Sequence, residues 1–313
     1  QKMIINTGMR TDIPAFYSEW FINRIKEGYV LVRNPYNPNQ ITRYNLNPQV
    51  VDLIGFCTKN PKPMLRYMEY LQPYGQYWFV TITPYGKEIE PLVPDWRNVI
   101  DDFIRLSRIV GVDSIGWRYD PMFISDTYTI ERHLHDFEEI ASRLKGYTNT
   151  CVISFIDLYS KVMHNFPEVK SVSQSDRLLL GKELINIAGR YGMTVKPCAE
   201  GNELEPYGAD CKGCMTIPTY EKALHCKLEV PKKQGARKEC ACYLTCDIGA
   251  YNTCAHQCRY CYANYSNELV KQNMKMHNPA SPLLIGEVGY GDVIHQAKQE
   301  SWKDRQLSIF DYI

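Results

Sequence analysis

Three cysteines carry the clearest chemistry in this chain. Cys254, Cys258 and Cys261 stand in the stretch Tyr251-Asn-Thr-Cys-Ala-His-Gln-Cys-Arg-Tyr-Cys-Tyr-Ala-Asn264, at a C-x3-C-x2-C spacing with Tyr260 just before the last. Three thiolates so spaced can ligate three irons of a [4Fe–4S] cluster and leave the fourth iron open. A cluster that only carries electrons takes a fourth cysteine, so an open iron implies that a small molecule binds there. Two other readings of close cysteines are zinc and disulfides. Zinc sites usually join a C-x2-C pair to a second, distant pair, and an x3 gap followed by an x2 gap is unusual for them. Disulfide knots belong to secreted chains. The spacing favours iron–sulfur.

The rest of the chain must position that loop. Ten of the 12 cysteines fall between Cys198 and Cys261, so metal chemistry is confined to the last third. The N-terminus, Gln1-Lys-Met-Ile-Ile5, has no signal-peptide pattern, and no apolar run approaches a membrane span. The expectation is a cytoplasmic protein, where clustered thiols bind metal more often than they pair. A net charge of +1 gives no global case for nucleic acid or membrane, and 44 % hydrophobic residues over 313 allow a large core.

Short apolar runs alternate with amphipathic segments over the first two thirds. Strands are expected at Met3–Asn6, Tyr29–Val32, Val51–Phe56, Tyr77–Ile82, Ser114–Trp117, Cys151–Ile156 and Met193–Lys196, with Ile41–Leu46 extending the second as a hairpin. Helices are expected at Ala15–Lys26, Pro63–Leu71, Asp95–Val110, Thr129–Leu144 and Asp176–Tyr191, with another at 265–276. A further strand is expected at Leu244–Ala250 and one more at Leu283–Ile285. This alternation predicts a parallel sheet, and the number of units predicts a TIM-like (β/α) barrel. Three segments follow: barrel units over 1–199, a Cys-rich metal-stapled insert over 200–246, and the last strand, cluster loop and tail over 247–313. Polar residues recur where apolar strands end, which is where barrel enzymes place their chemistry. Turn formation explains the prolines and glycines there. It does not explain Arg10, Arg33, Lys59 and Arg118, so a polar, anion-tolerant pocket is expected at the barrel mouth.

The triplet resembles the signature of the radical S-adenosylmethionine (SAM) superfamily. In that superfamily the open iron chelates SAM, and one electron from the cluster cleaves it to methionine and a 5′-deoxyadenosyl radical. The whole chain resembles a bacterial domain-of-unknown-function family, number 1848, through Arg10-Thr-Asp-Ile-Pro-Ala15, Tyr29-Val-Leu-Val-Arg-Asn-Pro35, Thr58-Lys-Asn-Pro61, Thr83-Pro-Tyr-Gly86, Trp117-Arg-Tyr-Asp-Pro121 and Tyr251-Asn-Thr-Cys254. In most of the superfamily the triplet follows the first strand. Its C-terminal place here implies a circular permutation, with the strand near Ile248 beside the one at Ile4-Ile5. Gly8, Arg10 and Asp12 would then occupy the loop that contacts SAM, with Tyr260 beside the cluster. The acidic residue common in that loop is absent, Asp12 lying two residues beyond Arg10. The resemblance also implies a second site from Cys198, Cys211, Cys240 and Cys242. Four thiolates suit an auxiliary [4Fe–4S] cluster or zinc, and Cys214, Cys226 and Cys246 are left as free thiols or substitute ligands.

The expected function is reductive SAM cleavage acting on a substrate held by Lys59, Tyr85, Arg118 and Asp120. Lys59 and Arg118 would contact substrate or the SAM carboxylate, Asp120 would orient Arg118 or meet the ribose, and Tyr85 would touch substrate or relay a hydrogen atom. A reductant such as flavodoxin or ferredoxin is implied. The rival reading is a non-catalytic, metal-stapled module that binds nucleic acid or protein. In the tail, Gln306, Leu307, Ile309 and Phe310 resemble the peptide by which bacterial repair proteins dock on the replication sliding clamp. Docking would imply damaged or modified DNA as substrate, as for the radical SAM photoproduct lyases. The alternative is that these apolar residues close the barrel.

Overall fold

The computed structural model describes residues 3–230, 242–243 and 246–303. Its centre is a sheet of seven parallel strands. They are β1 (Ile4–Asn6), β4 (Leu53–Thr58), β5 (Gly75–Thr81), β6 (Ile115–Met122), β7 (Thr150–Phe155), β8 (Thr194–Pro197) and β9 (Cys246–Asp247). The order across the sheet is β8-β7-β6-β5-β4-β1-β9. Helices Trp96–Val110, Ile130–Leu144 and Gln174–Arg190 cross between successive strands, as parallel pairing requires.

Period-two alternation divides the sheet into two faces. Ile5, Ile54, Phe56, Trp78, Val80 and Trp117 point into the main core. There they meet Ile100, Phe103, Phe137, Ile140, Leu180 and Leu184 from the three helices. The alternate residues Ile4, Leu53, Tyr77, Phe79 and Val152 face a second core. The Cys-rich segment covers that second face: Tyr220, on the helix Ile217–Leu224, sits 6.3 Å from Tyr77, and Cys214, Met215 and Cys242 lie in the same cluster. Gly75 permits this packing, because a Cβ there would lie 2.0 Å from a Leu224 methyl.

The sheet differs from the expected barrel. Among the described residues β8 and β9 are its two ends, and no pairing joins them. The run Tyr29–Arg33 (β2) is not a barrel strand. It pairs antiparallel with Gln40–Asn45 (β3), which pairs parallel with Val293–Gln296 (β10) in a separate three-stranded sheet. The six residues between β2 and β3 are enough for a hairpin and too few for a parallel crossover. β10 was not foreseen, and the strand expected at Leu283 is a single bridge to Leu31. The helix expected over Pro63–Leu71 is two single turns, Lys62–Leu65 and Met68–Leu71.

One topological expectation holds. β9, the last strand of the large sheet, pairs parallel with β1, the first, through Cys246 with Ile5 and Asp247 with Asn6. The cysteine loop is thus delivered next to the loop leaving β1. Among the described residues no helix is long and apolar enough to cross a membrane.

Candidate functional site

The ends of the parallel strands open on one cavity of about 360 Å³. Cys57, Thr81, Arg118, Ser154 and Cys198 reach it from successive strands or their ends. Cys254, Cys258 and Cys261 line it as well, and so do Cys214 and Cys242. Two groups of cysteines therefore share a single space with Lys59, Arg118 and Asp120.

The loop bearing the triplet is fixed along its length. Tyr17 donates its hydroxyl to the Thr253 carbonyl at 2.6 Å, and Asn264 Nδ2 donates to the Cys254 carbonyl at 2.7 Å. Two backbone bonds tie it to the segment after β5, from Leu92 N–H to His256 O and from Arg259 N–H to Ile89 O. Asn252 and Gln257 hold the left-handed conformation at φ 58° and 60°, a strain that persists where the surroundings fix it. Burial pushes all three thiols above their usual range. A cationic metal centre would relieve that penalty, since thiolates bind metals.

Two carboxylates join the loop to the sheet. Asp12 Oδ1 caps the turn Ile13–Phe16 through Ala15 N–H at 3.0 Å. Its Oδ2 accepts Lys59 N–H at 2.8 Å and bonds His256 Nε2 at 2.9 Å. Glu90 is buried, and its Oε1 takes the Lys59 ammonium at 2.8 Å, the Thr83 hydroxyl at 2.7 Å and the Tyr260 hydroxyl. Burial alone would lower the Lys59 ammonium, but Glu90 beside it holds it above its usual value. Gly8 is required by close approach: a Cβ there would lie 2.3 Å from the Cys57 carbonyl oxygen.

Arg118 is clamped. Its Nε and Nη2 both donate to Asp120 Oδ2, at 2.9 and 2.5 Å, and Ser154 donates to the other carboxylate oxygen. Burial opposes both charges. Asp120, with Cys198, Cys214 and Cys57 nearby, keeps Arg118 well above its usual value, and Arg118 keeps Asp120 below. Around the second cysteine group, Cys214 Sγ lies 3.9 Å from Cys198 Sγ and 3.3 Å from Cys242 Sγ. Cys211 lines an adjoining recess with these three.

Several expected site residues are placed otherwise. Arg10 does not line the cavity; it pairs with Asp247 at 3.9 Å and donates to Gly249 O. Arg33 lies in the small sheet, its guanidinium on both oxygens of Asp292. Tyr85 stands outside the cavity behind Tyr260, stacked on Phe123 with its hydroxyl on Pro121 O at 2.8 Å. Cys214, expected as a free thiol or a substitute ligand, lies between Cys198 and Cys242 in the second group. Cys246 faces the helix-side core, away from the cavity. Cys240 and the residues Gln306, Leu307, Ile309 and Phe310 lie outside the described residues.

Sequence reasoning missed Cys57, Glu90, Ser154 and His256. Alternation along β4 and β7 carried a signal for Cys57 and Ser154, since each shares a face with other inward residues. Glu90 carried none, because it sits in an irregular loop whose position only the fold sets. No curated protein matches the chain. The family model described as Domain of unknown function (DUF1848) matches residues 4–263, and the chain belongs to that family.

Proposed function

We propose that the protein is a radical SAM enzyme whose cluster is held by Cys254, Cys258 and Cys261. The observation that carries this reading is the convergence of those three thiols on a cavity that also holds two half-buried, ion-paired cations. The donor set fits a cluster better than a single ion. Among the described residues the one His, Cys, Asp or Glu group with all donor atoms within 4.8 Å of one another is His135, Asp136 and Glu139, so the triplet sulfurs are spread more widely than that. When bound, the cluster supplies one electron to SAM and so a 5′-deoxyadenosyl radical that abstracts hydrogen from substrate.

The chain's own residues position and enclose. Asp12 locks the triplet loop to the strand ends through His256 and Lys59 N–H. Glu90 fixes Tyr260 and aims the Lys59 ammonium. Asp120 and Ser154 hold the Arg118 guanidinium in one orientation, which suits a carboxylate or phosphate on SAM or substrate. Gly8 and Asp12 border the same space, and Arg10, committed to Asp247, leaves the set of SAM contacts.

We assign a second metal to Cys198, Cys214 and Cys242, with Cys211 next to them. Sulfur separations of 3.3 and 3.9 Å bracket the edge of about 3.8 Å that a tetrahedron of ~2.3 Å metal–sulfur bonds requires. The third pair, Cys198 with Cys242, is wider, since the three sulfurs do not all lie within 4.8 Å of one another, and the trio suits either zinc or an auxiliary [4Fe–4S] cluster. The rival reading, a non-catalytic metal-stapled module, leaves the ion pairs that line the cavity without a task. Anaerobic purification with iron and sulfide analysis separates the two. A brown protein that forms 5′-deoxyadenosine with SAM and dithionite, or with flavodoxin or ferredoxin as the reductant, is expected. A colourless protein that leaves SAM intact would end the enzyme reading.

A further inference from the structure

The opening of the cavity has a chemistry of its own. Two segments meet there: the stretch after β7, which runs into the helix Ser160–Asn165, and the far end of the cysteine loop. Tyr159 and Tyr262 both line the cavity and are each 42 % exposed, so they stand where it meets solvent. Their ring centroids are 6.4 Å apart. Tyr265, 57 % exposed, stacks on His164 at 5.8 Å and 16°. Tyr251 carries two cations over its ring, Lys161 at 5.1 Å and Arg10 at 5.7 Å. Leu158 and Met163 add exposed apolar surface on the first segment.

This rim is fastened. Asn165 Nδ2 donates to the Tyr265 carbonyl at 3.4 Å, and Arg259 Nε donates to the Asn165 carbonyl at 3.3 Å. Arg259 also grips Glu168 with both terminal nitrogens. Tyr159, Tyr262 and Tyr265 are thus ordered across two segments yet left exposed, and exposed aromatic surface beside a pocket mouth marks a binding surface. Its composition selects the partner. Tyrosines joined to cations supply flat stacking surfaces and counter-charges together, the combination that binds nucleic-acid strands. Arg10 and Arg259 are already paired with Asp247 and Glu168. Lys161 has its ring contact and, among the described residues, no carboxylate within 4.0 Å, which leaves its charge for a phosphate.

We propose that this rim is a stacking clamp for a nucleobase on a single-stranded or locally opened nucleic-acid strand, which it passes into the cavity. The proposal names a substrate class for the same site, and it rests on the radical SAM reading only for what becomes of the base. Fluorescence anisotropy with the full, anaerobically loaded chain tests it, using a labelled mixed-sequence single-stranded DNA of about 12 nucleotides and a labelled polar peptide of equal length. Saturable DNA binding that weakens with salt is expected. Tyr265→Ala should weaken it by roughly 5-fold or more, and Tyr265→Trp should restore it, because the ring face is what binds. Lys161→Ala should weaken binding and reduce the salt slope by about one. Absence of saturable DNA binding overturns the proposal. So do equal binding of the peptide, an unaltered Tyr265→Ala, and loss in Tyr265→Trp equal to that in Tyr265→Ala. Wild-type protein that cleaves SAM but binds no DNA refutes the clamp alone, and one that binds DNA but leaves SAM intact refutes the enzyme reading alone.

Discussion

The two cysteine groups share one cavity and are built in opposite ways. Cys254, Cys258 and Cys261 lie on one continuous loop, braced by backbone bonds and by the Asp12–His256 and Glu90–Tyr260 contacts. Cys198, Cys214 and Cys242 come from a strand end and two parts of the insert, with Cys214 Sγ within 3.9 Å of each of the other two. Neither group has all its sulfurs within 4.8 Å of one another. The first is a single loop that other elements brace, and the second draws distant parts of the chain together around Cys214. A local motif needs scaffolding because its spacing alone does not set its shape. A dispersed site needs none, because the fold that assembles it is also what it stabilises.

The widest separation of the two groups should come from single alanine variants. Cys254→Ala, Cys258→Ala and Cys261→Ala should each abolish SAM cleavage and remove about four irons per chain. Cys214→Ala should leave that iron in place and remove the second metal. If iron and activity disappear equally from both sets, the two groups are one site and the distinction falls. Within the second group, Cys214→Ala should lower the melting temperature more than Cys211→Ala, because metal-binding energy there is folding energy. The reverse order would restore the sequence-based set of Cys198, Cys211, Cys240 and Cys242.

A smaller effect tests the brace of the first group. Glu90→Ala strands the Lys59 ammonium and the Tyr260 hydroxyl in a buried setting. Removing one partner of a buried pair costs about 3–5 kcal/mol, so a clear loss in denaturant midpoint is expected. Arg33→Ala, in the small sheet and paired with the acceptor Asp292, should cost far less. Equal losses would mean that the cavity pair has no special place.

These contrasts follow what could be read from the residues. Strand–helix alternation placed the large sheet, and the neighbour relation of β9 and β1 followed from the displaced cysteine triplet. The triplet itself was legible because its ligands are neighbours in the chain. Three things were not. The Tyr29–Arg33 run is as apolar as the strands of the large sheet, and only the short link to β3 sends it to another sheet. Cys214 differs from Cys211 in no local property; the turn that brings it between Cys198 and Cys242 decides. Arg10, Arg33, Lys59 and Arg118 were expected together at one pocket mouth, yet each has a carboxylate within 4.0 Å, and only Asp120 beside Arg118 is set by sequence spacing.

The smallest effect concerns the joint that carries the first group alone. Asp247, at the end of β9, accepts Met9 N–H on Oδ2 and Gly249 N–H on Oδ1, both at 2.8 Å. It so fixes the loop after β1 to the segment that leads into the triplet. Burial pushes its carboxyl up to about 6, against the pull of Arg10 and the two N–H groups. The folded value lies above the unfolded one of about 3.9. Its contribution to folding is therefore full below about pH 4 and is lost as pH rises through about 6, a change of about 3 kcal/mol at 1.36 kcal/mol per unit. Asp247→Asn has no such titration, and its single amide oxygen can serve one of the two donors. In protein stripped of metal by chelator, so that neither cysteine group is loaded, wild-type stability should fall between pH 4.5 and 7 relative to the variant. Parallel pH profiles would show that Asp247 stays ionised throughout, held there by Arg10, and that this joint, unlike the two cysteine groups, is indifferent to pH.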